Sequence, residues 1–93
     1  MSDRNVLVRL QNNIKIQALS AGDNERAIEI LQSINLITPF NAGFLSELAV
    51  LEASGGRITS AVARLEKFIE LSPIKKDVSK IIDLKEKLNR SLN

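Results

Sequence analysis

Two stretches decide the fold: Gly22–Pro39, GDNERAIEILQSINLITP, and Gly56–Pro73, GRITSAVARLEKFIELSP. Laid in register they share Gly22 with Gly56, Ala27 with Ala61, Leu31 with Leu65 and Pro39 with Pro73, each pair 34 residues apart. Working outward, Ser20 and Ser54 keep the offset. So do the apolar pairs Leu10 with Phe44, Ile14 with Leu48, Ile16 with Val50, Ile28 with Val62, Ile34 with Phe68, and Ile37 with Leu71. A fixed period of this size is a signature of stacked helical hairpins.

Local signals divide each copy in two. Residues 5–21 carry apolar side chains at helical spacing, with Val6, Leu7, Leu10, Ile14 and Ala18 on one stripe that Ile16 and Leu19 broaden. Ala21-Gly22 ends this helix, since glycine tolerates the left-handed residue that closes a helix. Asp23 is a natural cap for the next helix, with Glu25 in its first turn to complement the dipole. Ala27, Ile28, Leu31 and Ile34 form its buried stripe, and Pro39 biases Thr38 away from helical geometry. The second copy repeats this plan. Asn41 caps a helix through Phe44, Leu45, Leu48, Ala49, Leu51 and Ala53, and Gly55-Gly56 breaks it. A fourth helix opens near Arg57 or Thr59 and stops at Ser72-Pro73. From Lys75 to Leu92 a charged segment keeps Val78, Ile81, Leu84, Leu88 and Leu92 in one arc, the pattern of a terminal helix that covers the apolar flank of a stack.

Composition agrees with a single small all-helical domain. The chain has 93 residues, is 44% hydrophobic, and its only aromatics are three phenylalanines, so the core is aliphatic. It contains no cysteine and no histidine, which excludes disulfides, thiolate and imidazole metal sites, histidine-based triads and cysteine nucleophiles. No apolar run approaches the roughly 20 residues of a membrane span, and Met1–Arg4 does not lead into a signal-peptide core, so a cytoplasmic location is expected. Net charge is +2. Residues 57–93 hold nine basic and five acidic side chains, against four and six before them. A solvated basic helix face accounts for this: Lys75, Lys76, Lys80, Lys85, Lys87 and Arg90 cluster without interleaved aromatics, which argues against nucleic acid.

The positions of the glycines, alanines and prolines resemble tetratricopeptide repeats. Counting back from each proline, repeat one is Val8–Asn41 and repeat two is Ala42–Lys75, leaving 76–93 as a capping helix. Ala27 and Ala61 match the family's helix B alanine, Gly22 and Gly56 its corner glycine, and Ala49 its small helix A residue. The chain departs from the pattern at Lys15, where a small residue is usual, at Gln11 and Leu45 for the aromatic start, and at Ala18 and Glu52 for the usual tyrosine. The resemblance implies a right-handed superhelix of two hairpins plus the cap.

A narrower likeness exists. Arg9-Leu10-Gln11-Asn12-Asn13-Ile14-Lys15, with Ala21-Gly22-Asp23 and Glu25-Arg26-Ala27, resembles the C-terminal tail of bacterial SirB-family transglutaminase-like proteins. That tail ends in a basic helix similar to Leu88-Asn89-Arg90-Ser91-Leu92-Asn93. The family's cysteine and histidine have no counterpart, so no activity is implied.

For function, the carboxylate pairs Glu25/Glu29 and Glu66/Glu70 stand at i, i+4 without a nucleophile or phosphate loop beside them, and read as helix-surface charge. No catalytic residue, metal ligand or cofactor site is expected. The family register places Arg9, Asn12, Ile16 and Leu19, then Gly43, Ser46, Val50 and Ala53, on the concave face. The family's carboxylate-holding lysine and asparagine are absent there. The expected partner is a protein or peptide, met by Arg9, Asn12, Asn13, Ile16, Ser46 and Val50, with no nucleic acid and no membrane. A structural tail bracing an upstream transglutaminase-like domain is the alternative. Two hairpins are fewer than the three or so that usually stand alone, so a homodimer through the N-terminal edge or the last helix is also expected.

Overall fold

The two glycine corners are built alike. In the computed structural model, which describes residues 3–91, Gly22 has φ +76° and Gly56 φ +87°. At the first corner the Asp23 amide donates to the Ala18 carbonyl at 2.8 Å and the Gly22 amide to Leu19 at 3.1 Å. At the second, Arg57 donates to Glu52 at 2.8 Å and Gly56 to Ala53 at 3.1 Å. The paired bonds close the last helical turn around a left-handed residue. A side chain at either glycine would cost roughly 1 kcal/mol.

Five helices result: α1 (Asp3–Ser20), α2 (Asn24–Ile37), α3 (Ala42–Ser54), α4 (Ile58–Leu71) and α5 (Lys75–Ser91). Asp23 caps α2 by accepting from the Arg26 amide at 3.2 Å, and Asn41 caps α3 by accepting from Phe44 at 3.1 Å. Arg57 precedes α4 without a side-chain cap. At the far ends the amides of Thr38 and Ser72 donate to Ile34 and Phe68, both at 2.8 Å, and the prolines that follow prevent extension. The described residues contain no strand.

Each helix packs on the next, and α3 also touches α5. Short connections make neighbouring helices antiparallel, and the Lys15 side chain of α1 reaches Glu47 of α3. Ala27, Leu31, Ala61 and Leu65 are fully buried. Leu31 sits with Ile28, Ile34 and Leu48 in one cluster; Leu65 sits with Leu45, Ala49, Ala61, Phe68, Ile81 and Leu88 in the other. α5 turns Ile81 and Leu88 inward and leaves Ser79, Asp83 and Glu86 exposed. It packs on α3 and α4, with Ile82 also exposed; Leu92 lies outside the described residues.

α1 corrects the sequence reading. Of its expected inner stripe only Ala18 is buried, while Val6, Leu7, Leu10 and Ile14 are exposed. The side turned inward instead carries Val8, Gln11, Asn12, Lys15, Ala18 and Leu19. The reason is spatial. Val8 joins the Leu31 cluster, and Lys15 is long enough to run past α2 and end on Glu47 of α3 at 2.8 Å. Leu10 and Ile14 stand 34 residues before Phe44 and Leu48, which pack against α2. No described helix precedes α1 to give them the same cover.

Candidate functional site

Of the residues expected to meet a partner, Ile16 on α1 and Val50 on α3 are apolar and about half accessible, at 50% and 47%. They hold equivalent places on α1 and α3. Arg9 and Asn13 are exposed on α1, and Asn12 is partly buried with its Oδ1 enclosed and without a hydrogen-bond partner. Ser46 is partly buried, and its hydroxyl donates to the Ala42 carbonyl at 2.8 Å. Its proton is thus committed within α3, and only the oxygen lone pairs face outward as acceptors. Next to it a hollow of about 410 Å³ opens between α3 and α5, bordered by Gly43, Ser46, Asp77 and Lys80. The six residues expected to meet a partner thus divide into an α1 group and a smaller α3 group, with the polar hollow extending the latter towards α5.

Two buried charges lie in α1 and α3, and the sequence reading gave neither a role. Lys15 is 4% exposed; its ammonium bonds Glu47 and lies 5.5 Å from the centre of the Phe44 ring. Glu52 is 2% exposed and accepts from Arg64 Nε at 2.6 Å. Burial of a charge is tolerated when a hydrogen-bonded opposite charge meets it. A signal for both was available: Lys15 and Glu52 fall where the repeat-mates are Ala49 and Ala18. A charged side chain at a position whose mate is a buried alanine must find a partner across the helix interface.

The remaining ion pairs lie at the surface. Arg57 meets Glu25 at 2.9 Å, and Lys85 meets Glu66 at 3.6 Å. The carboxylates of the two i, i+4 pairs are exposed, and no cluster of metal-ligating side chains occurs among the described residues. No described helix is long and apolar enough to cross a membrane.

A third surface is formed by α1 and α2. Leu7, Leu10 and Ile14 run along α1, and Ile14 borders a shallow depression with Gln11, Arg26, Glu29 and Ile30. Arg26 and Glu29 form no ion pair among the described residues, and Gln11 Oε1 is enclosed without a donor.

No protein-family model, curated protein or solved structure matches this chain. The functional reading therefore rests on the geometry of these surfaces.

Proposed function

We propose that the chain is a non-catalytic protein-interaction module of tetratricopeptide type, which holds a peptide or partner domain on its α1/α3 side. The observation that carries this reading is the exposed pair Ile16 and Val50, which hold equivalent places on α1 and α3 and are each about half accessible. A segment lying along this side covers both, in the manner of groove-bound peptides.

The reading separates binding from stability. Replacing Asn12 with leucine removes an unpaired oxygen and is expected to raise stability by about 1 kcal/mol, read as a higher midpoint in urea. Ile16→Asp with Val50→Asp is expected to abolish partner capture. A captured protein that binds the unaltered chain and this double variant equally sinks the assignment of this side.

A specific observation supports self-association as well. α1 leaves Leu10 57% and Ile14 42% exposed, against Ile82 at 38% on α5. That strip is flanked by Arg26 and Glu29, which form no ion pair among the described residues. A two-fold axis passing between them would set each opposite its complement on a second copy, which favours dimerisation through α1. Sedimentation equilibrium is expected to show a dimer that Leu10→Glu with Ile14→Glu converts to monomer. A strict monomer at high concentration counts against the dimer and leaves the strip to some other helix, such as one from a preceding domain.

A further inference from the structure

Between the C-terminal halves of α2 and α4 lies a cavity of about 290 Å³, which shares Phe40 with the hollow between α3 and α5. Its walls include Leu36, Phe40 and Leu71, which are 84%, 42% and 55% exposed. Its floor is Leu45 and Phe68, both buried, with the Phe40 and Phe68 rings 6.2 Å apart and tilted. Leu36 is the most exposed of the large apolar side chains. Three such residues around one hollow differ from a scatter of single surface hydrophobics, which needs no explanation.

The polar groups at the cavity have one sign. Arg64 and Lys67, three residues apart on α4, line it, and no acidic side chain does. Arg64 is anchored through Nε by the buried carboxylate of Glu52, and its Nη groups are further donors on a guanidinium already held in place. Lys67 is exposed and makes no ion pair among the described residues. Asn35 also lines the cavity, and its Oδ1 is enclosed without a donor.

We propose that this cavity, which adjoins the α3/α5 hollow at Phe40, is a second docking site for an acidic peptide segment of a partner protein. Its occupant has one large apolar side chain next to an aspartate or glutamate. Each part has a place. The apolar side chain fills the space between Leu36, Phe40 and Leu71. The neighbouring carboxylate meets Lys67 and Arg64. Volume restricts the choice, because about 290 Å³ is at the bottom of the range for small-molecule sites, roughly 300 Å³. One large side chain fits; a cofactor-sized ligand does not. Charge complementarity selects an acidic segment over a neutral one and makes its association sensitive to salt.

Fluorescence anisotropy tests this with a labelled model peptide holding a central Phe-Asp-Glu in a Gly/Ser background, amidated so that its carboxylates are internal. Saturable binding is expected, weakening with added salt and lost when the peptide's phenylalanine becomes serine. Lys67→Glu is expected to weaken it about tenfold or more. Leu36→Asp is expected to do the same. Both side chains are exposed, so these variants keep the fold, which circular dichroism verifies. Ile16→Asp with Val50→Asp should leave this binding unchanged, which separates it from the reading of Ile16 and Val50. Absence of saturable binding, or equal binding by Lys67→Glu, overturns the proposal. Tight binding only of a neutral peptide with a free C-terminal carboxylate also overturns it, since that ligand belongs to a different class of site.

Discussion

Arg64→Ala is expected to destabilise the domain by about 3 kcal/mol, a large share of the ~5–14 kcal/mol that a chain of this length usually possesses. The cause is the carboxylate left behind. Glu52 is 2% exposed, and its carboxylate accepts from Arg64 Nε at 2.6 Å. Breaking a buried pair from one side leaves a charge without water or partner. The reverse change is gentler. The Arg64 side chain is 33% exposed and can turn to solvent when Glu52 is replaced by leucine, which also suits the surrounding apolar side chains. Urea denaturation of the two variants should therefore give a clearly larger loss for Arg64→Ala. Equal losses would mean that the pair acts as a surface contact, worth under about 1 kcal/mol.

Leu65→Ala should have the largest effect of any single truncation, about 3–5 kcal/mol. Its repeat-mate Leu31→Ala should cost less, about 2–3 kcal/mol, although both side chains are fully buried in the native fold. The difference comes from their neighbours. Leu65 is enclosed by α3, α4 and α5, with Leu45, Phe68, Ile81 and Leu88 around it. A cavity there cannot collapse without shifting three helices. Leu31 belongs to a cluster to which α1 contributes Val8 while the rest of its inner surface is largely polar. Within one chain, α1 is free to settle into the space because no described helix covers its far side. Thermal melts of the two variants measure the order directly. Amide exchange supplies a second check, since α1 should lose protection before α3, α4 and α5. Equal costs, or an α1 as protected as α4, would show that the two hairpins form one cooperative unit.

Much of the fold was legible because it depends on neighbours in the chain. The glycines at 22 and 56, the caps Asp23 and Asn41, and the stops at Thr38-Pro39 and Ser72-Pro73 each act over a few residues. All appear in the structure at the expected places. The stripes of α2 and α4 were equally clear, since one side of each helix is strongly apolar. The partner surface was less legible. Ile16 and Val50 are exposed, but the Ser46 hydroxyl is spent on its own helix. The Asn35–Leu36–Phe40–Leu71 cavity joins residues from two helices and a loop, and no local pattern announces it.

The sequence by itself determined the period, the corners and the interior of the second hairpin, because those follow from backbone geometry and from strongly one-sided helices. Only the tertiary structure decided how α1 is rotated. Its apolar residues are spread around the helix at Val6, Leu7, Val8, Leu10, Ile14, Ile16 and Leu19, so several orientations bury similar amounts of carbon. Contacts with α2 and α3 break that tie. The Lys15–Glu47 bond and the seat of Val8 against α2 hold α1 with its polar side inward, which leaves Leu10 and Ile14 available to another chain.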